Sequence, residues 1–332
     1  MTPRTIVVVD TMGGLGDLLL GLPVVAALAA THPEACITVV TTAPWHVLLE
    51  RDPRIAELAP VEGRDGGSVL AAVRPVLERI RPDLAVTTNR QHGLPELLEA
   101  TAGAAVTNLW RNPPADELVD LRSVRLLVED GWVDPAAAGL PPRLVVGPDE
   151  LALATGLLAD LVGEARPVLC FPDSGMAVKH WPLAAWAETV RGAVQQGLAP
   201  VVVSQVAEQR SALAAAGAAV APALELRELA ALAAAAARRD GRGIGGDTGP
   251  VRVAAASGLR VVGLFGPTLA SRYGYRPETA VNLQGLPGCE VRRPTAITEQ
   301  TCWWTGECPL TASRAPRCMH DITPRQVLAA VG

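Results

Sequence analysis

The feature that most restricts what this chain can fold into is an alternation that runs through it twice. Short β-branched runs are followed by turns carrying glycine or other small residues and then by longer stretches rich in Ala and Leu. Parallel strands can be joined only through long crossovers, so this rhythm predicts parallel sheets covered by helices. RTIVVVD (4–10), CITVVTT (36–42) and DLAVTTN (83–89) read as buried strands, with a helix expected from Asp17. The proline cluster VDPAAAGLPPRLVVGPDE (133–150) reads as a linker. The series then restarts with a helix over 149–163 and strands at 167–171, 199–204, 242–246 and 260–266. Helices are expected near Pro182, over 206–216 and 225–237, and from Thr248. The predicted class is α/β: two facing Rossmann-like domains with a cleft between them and ligands at the carboxyl ends of the strands. Their expected bounds are 1–147 and 148–322, the second with a Cys-containing excursion over 288–318. A final helix within 323–332 is expected to pack back on the first domain.

Composition narrows the function. The 332 residues suffice for two domains, and 49% hydrophobic with 19% charged residues excludes disorder and fibrous classes. A net charge of -5 lacks the basic surplus of a nucleic-acid binder. The longest apolar stretch, 15–30, contains Asp17 and Pro23, which argues against a membrane span. The opening MTPRTIVVVD runs straight into a strand pattern without a secretory signal, so a cytoplasmic protein is expected. Among 29 basic residues the one lysine is Lys179. In a chain this biased towards Arg, a retained Lys reads either as chance survival or as a need for a compact ammonium.

Three loops at predicted strand ends carry the candidate chemistry. In the first, D-T-M-G-G-L-G-D, Asp17 follows Gly13, Gly14 and Gly16. It is neither a dinucleotide fingerprint nor a P-loop, and the second strand lacks the acidic residue that would hold a ribose, so an NAD dehydrogenase is disfavoured. Asp17 reads either as a helix N-cap or as a carboxylate that takes a proton from a substrate hydroxyl. In the second loop, Ser174 and Gly175 offer a hydroxyl and open N–H groups to an anion, Lys179 offers a point charge, and Trp181 reads as packing. In the third, Thr248, Gly249 and Pro250 lie at a helix start suited to phosphate. Asp247 reads as an N-cap or a contact to sugar hydroxyls, and Arg252 as a diphosphate contact or a solvated side chain. Together the loops describe a nucleotide-sugar transferase better than a hydrolase or an oxidoreductase.

With these residues in view, the chain resembles the lipopolysaccharide heptosyltransferases of the ADP-heptose family, glycosyltransferase family nine, which have the GT-B fold. The resemblance rests on Leu15-Gly16-Asp17, K-H-W-P-L (179–183), LRELAALAAAA (226–236), D-T-G-P (247–250), LFGPT (264–268) and the closing C-P…C-M-H-D-I-T-P. It implies an inverting transfer to an acceptor hydroxyl without a catalytic metal, and Asp17 as the general base. It further implies diphosphate contacts from Ser174, Gly175 and Lys179, a donor-sugar contact from Asp247, a phosphate-binding helix start at Thr248–Pro250, and Glu208 near the ribose. The chain departs from the family pattern at Arg252, where His is usual, at Thr11 and Gly13, and at Phe171-Pro172. The expected partners are a nucleotide-sugar donor, ADP-heptose foremost, and a glycan, glycolipid or small-molecule acceptor. The alternatives are a natural-product glycosyltransferase using a GDP- or UDP-sugar, and a non-catalytic nucleotide-binding or assembly protein.

Cys289, Cys302, Cys308 and Cys318 lack a C-x-x-C pair, and disulfides do not suit a cytosolic chain. Four thiolates nonetheless form a donor set for structural Zn or Fe, and some protein-modifying members of the family carry such a metal. Trp303-Trp304 reads as a cover for the second domain or a partner surface.

Overall fold

The computed structural model describes residues 2–11, 13–311 and 313–332. The chain forms two compact units, one of residues 1–113 with 117–145 and one of 114–116 with 146–332. Among the described residues no helix is long and apolar enough to cross a membrane.

The first unit holds a five-stranded parallel sheet of β1 (Thr5–Asp10), β2 (Cys36–Thr42), β3 (Glu57–Val61), β4 (Leu84–Thr87) and β5 (Ala104–Val106), in the order β3-β2-β1-β4-β5. Its helices are α1 (Leu15–Thr31), α2 (Gly66–Ile80), α3 (Leu94–Thr101) and α4 (Val119–Glu129). β1 lies centrally, pairing Val8 with both Val39 and Val86, and helices α1 and α2 pack against it. That is why Ile6, Val7 and Val9 form an uninterrupted apolar run with no exposure at all.

The second unit holds six parallel strands: β6 (Pro167–Phe171), β7 (Ala199–Val202), β8 (Ala219–Val220), β9 (Arg242–Gly246), β10 (Arg260–Phe265) and β11 (Ala280–Gln284), ordered β11-β10-β9-β6-β7-β8. The helices are α5 (Pro148–Val162), α6 (Leu183–Gln195), α7 (Ala207–Ala215), α8 (Leu226–Arg238), α9 (Gly249–Ala256), α10 (Ala270–Tyr273), α11 (Thr301–Thr305), α12 (Arg317–His320) and α13 (Pro324–Val331). β9 is RGIGG because Cβ atoms at Gly243 and Gly245 would press on Val261, Val251 and Phe171. The strand order reverses between β6 and β9 here and between β1 and β4 in the first unit, the places where open parallel sheets leave room for ligands.

Several expectations are corrected. β3, β5, β8 and β11, which the apolar pattern does not announce, are the four sheet edges. Half-exposed edges carry no continuous apolar run. Helix α1 begins at Leu15, two residues before the expected start. The final helix belongs to the second unit, where Val327 and Val331 are fully buried in the core beside Val190 of α6. Its apolar face completes the cover over the β6–β10 region.

Candidate active site

In the second unit the loop after β6 and the loop after β9 meet. A short 3-10 turn over Ala177–Lys179 ends at Lys179, whose Nζ donates to both the main-chain oxygen and Oδ2 of Asp247, each at 2.9 Å. Arg252, one turn into α9, donates from Nη2 to Asp247 Oδ1 at 2.5 Å and to the Tyr273 carbonyl. Burial alone would raise the Asp247 carboxyl. The Lys179 ammonium and Arg252 guanidinium overcome that and hold it well below the usual carboxylate range. The triad is therefore an ionised, buried network with one net positive charge. Arg252 is 6% exposed, which corrects the reading of a solvated side chain.

The sequence does not reveal the aromatic residues that complete this site. Tyr275 is buried, its hydroxyl donates to the Gly246 carbonyl, and its ring lies 5.1 Å from the Arg252 guanidinium. Trp303 of α11 stands against Lys179, with Nζ 5.1 Å from the ring centroid. Only the scarcity of aromatics, 3% of the chain, could have drawn attention to either.

Neither candidate N-cap aspartate occupies that position. Thr248 is the N-cap of α9 without a side-chain capping bond, and its buried Oγ1 has no hydrogen-bond partner among the described residues. Gly249 and Pro250 form the first turn, so the N-terminal amides point out of the strand end and Pro removes a donor that the helix could not use. Ser174 Oγ bonds the Met176 carbonyl and amide in a local turn, and a Cβ at Gly175 would meet nothing within 4 Å. Glu208 lies in the first turn of α7. With Asp173, Ser174, His180, Trp186 and His320 it lines a cavity of about 420 Å³. The structure thus divides the predicted donor residues into the Lys179–Asp247–Arg252 network and this neighbouring cavity. Trp181 is core, its Nε1 donating to the Ile322 carbonyl, as its packing role requires.

In the first unit, the loop after β1 is pinned at its base. The Thr11 amide donates to Asn89 Oδ1 at 3.0 Å, and Thr42 Oγ1 donates to the Thr11 carbonyl at 3.0 Å. Gly14 is the N-cap of α1, and Asp17, at the third helical position, accepts from the Gly14 amide at 2.6 Å, half of a capping box. Gly13 has φ +86°, and a Cβ there would strike the Asp17 carboxylate, so glycine is needed on both counts. Gly16 lies in the first helical turn. Asp17 is exposed. A second carboxylate, Asp10 at the end of β1, is 8% exposed and occupies the space left by Gly21, where a Cβ would sit 2.5 Å from Oδ2. Burial first, and then the charge of Asp17, raise the Asp10 carboxyl to about 7.

Cys289, Cys302, Cys308 and Cys318 all line one small cavity of about 20 Å³, together with Val178, Arg292 and Gln300. Arg292 anchors the surrounding loop by donating to the carbonyls of Gly266, Gly285, Leu286 and Pro287. Four thiols around a space for one small occupant fit the chemistry of a thiophilic ion. Among the described residues, however, no three His, Cys, Asp or Glu side chains stand in an arrangement that holds a metal as they are. The thiols share a cavity but are not drawn to a common point.

Comparison with known proteins bears on this geometry. The family model described as glycosyltransferase family 9 (heptosyltransferase) matches residues 123–289. Among solved structures, a glycosyltransferase family 9 protein from Veillonella parvula superposes with a TM-score of 0.76 at 18% identity, covering 98% of this chain and 96% of that one. The ADP-heptose lipopolysaccharide heptosyltransferase II of E. coli gives 0.68 at 21% identity, covering 98% and 97%. The iron-containing dodecameric glycosyltransferase TibC of enterotoxigenic E. coli gives 0.59 at 17% identity, covering 99% and 75%. No curated protein matches by sequence.

Proposed function

Because the chain belongs to glycosyltransferase family 9, we propose that it moves a heptose or related sugar from a nucleoside-diphosphate donor, ADP-heptose foremost, to a hydroxyl of a glycan, glycolipid or small-molecule acceptor, with inversion and without a catalytic metal. The observation that carries this reading is the Lys179–Asp247–Arg252 network where β6 and β9 end at the reversal of strand order. A diphosphate needs concentrated positive charge and amide donors. Lys179, Arg252 and the first turn of α9 at Thr248, Gly249 and Pro250 supply both. Ser174 and Gly175 add local donors, and Glu208 faces the adjoining cavity, which suits a sugar or ribose hydroxyl.

In this reading Asp17 accepts the proton of the acceptor hydroxyl as its oxygen bonds to the anomeric carbon. The anomeric C–O bond to the diphosphate breaks, and the electron pair leaves with the diphosphate. Lys179 and the helix amides stabilise that departing charge, an interaction stronger in the transition state than in the bound donor. Asp247, already engaged by two cations, keeps the ammonium aimed and offers a carboxylate edge to sugar hydroxyls. We assign the reaction to the cytoplasm, a compartment that suits six free thiols. We further propose a structural metal on Cys289, Cys302, Cys308 and Cys318, supported by their shared cavity and reached by rotation of the thiol side chains.

Calorimetric titration with ADP, GDP, UDP and NAD tests the donor. ADP is expected to bind, and Lys179→Ala to weaken it about tenfold or more, as loss of a charged hydrogen bond does. Asp17→Asn is expected to lower turnover about 10²- to 10⁴-fold while donor affinity holds. Preference for GDP or UDP replaces the donor with that of a natural-product glycosyltransferase. Binding of none by the folded protein favours the non-catalytic nucleotide-binding or assembly reading.

A further inference from the structure

The cysteine-lined excursion meets the donor side of the second unit at Lys179 through Trp303. Trp303 is 9% exposed, and its ring centroid lies 5.1 Å from Lys179 Nζ, inside the range in which an indole attracts a cation. Its neighbour Trp304 is 71% exposed and donates its Nε1 to the Thr298 carbonyl, so the two adjacent indoles do different things. The placement of Trp303 is enforced from both sides. Gly306 ends α11 with φ +68°, and a Cβ there would come within 2.9 Å of Ala177 Cβ at the start of the turn that ends at Lys179. Val178, between them, lines the same cavity as Cys302, the residue before Trp303.

An ammonium has three N–H donors. Lys179 directs two at Asp247, and its side chain is only 14% exposed. The indole therefore stands against a cation whose donors are nearly all committed, limiting the directions in which the remaining one can meet an incoming anion. A tryptophan face offers charge stabilisation without taking a hydrogen bond, which a carboxylate or carbonyl in its place could not do.

We propose that Trp303 is a positioning residue for Lys179: the indole keeps the ammonium aimed, and makes diphosphate binding depend on the seating of the cysteine-lined excursion. This rests on the reading of Lys179 as a donor-diphosphate contact.

The test is calorimetric titration of ADP and of adenosine into the full chain. Trp303→Leu is expected to raise the Kd for ADP about 3- to 30-fold, Trp303→Phe to raise it less because benzene is the weaker cation host, and Trp304→Leu to leave it unchanged. Adenosine, which lacks the diphosphate, is expected to bind all of them alike. In a Lys179→Ala background, Trp303→Leu is expected to add nothing. Unchanged ADP affinity in Trp303→Leu, equal losses for ADP and adenosine, or a full additional loss beyond Lys179→Ala each overturns the proposal. If Trp303→Leu fails to fold, Trp303→Phe decides, with the same ADP-selective loss required. If Lys179→Ala itself leaves ADP binding intact, the donor-site reading falls, and this proposal with it. If Lys179→Ala weakens ADP while the Trp303 variants do not, only the role of Trp303 is lost.

Discussion

Asp10 ends β1 and Asp247 directly follows β9, and their surroundings drive the two carboxyls in opposite directions. Asp247 gains two cations and stays ionised, whereas Asp10 meets burial and the charge of Asp17, which raise it to about 7. The sign follows for stability. The folded chain retains a proton on Asp10 over a range, from about pH 4 to about 7, in which the unfolded chain releases it. The contribution is full below the unfolded value and is lost as pH rises through the folded one. Asp10→Asn is neutral at every pH, so urea denaturation should show wild type losing roughly 2–3 kcal/mol more than the variant between pH 5 and 8. Parallel stability curves for the two proteins would show that Asp10 titrates as it does in the unfolded chain.

At the scale of elements, the segment from Leu286 to His320 is the least regular part of the second unit, yet it is firmly tied down. Arg292 donates to four carbonyls, and Gly266 in the LFGP turn leaves room for Met319 and Cys318. Short helices with few internal hydrogen bonds depend on such tertiary anchors. A metal drawing the four thiols together would add another. Protein purified without chelator is therefore expected to carry about one Zn or Fe per chain by elemental analysis, and Cys302→Ser with Cys318→Ser to lose it together with several degrees of Tm. Folded wild-type protein that contains neither metal and takes up neither on titration would refute the site.

At the scale of the molecule, two compact units, each with its own sheet and core, are expected to give separable contributions to unfolding. A ligand that binds only folded second unit stabilises it by about 2.7 kcal/mol at a hundredfold excess over its Kd. A calorimetric scan with ADP should therefore move the transition of that unit and leave the heat of the other in place. A uniform shift of the whole endotherm would show that the two unfold as one.

What the sequence by itself determined is the part written in local chemistry. The buried strands β1, β2, β4, β6, β7 and β10 show as apolar runs because both faces are covered, and the glycines at 13 and 245 mark where no Cβ fits. The motif residues Asp17, Lys179 and Asp247 lie in the connections that follow β1, β6 and β9, because a strand must end in a loop before its crossover begins. The edge strands were not legible, since half-exposed strands of two to five residues carry no period long enough to read. Nor did the sequence decide which side chains would meet. Lys179 and Asp247 are 68 residues apart, and Trp303 lies farther still from Lys179 along the chain. Only the placement of β6 beside β9, and the packing of the cysteine-bearing segment against the turn that ends at Lys179, brings one ammonium, one carboxylate, one guanidinium and two aromatic rings together. Those contacts depend on distances in space, which no spacing along the chain encodes.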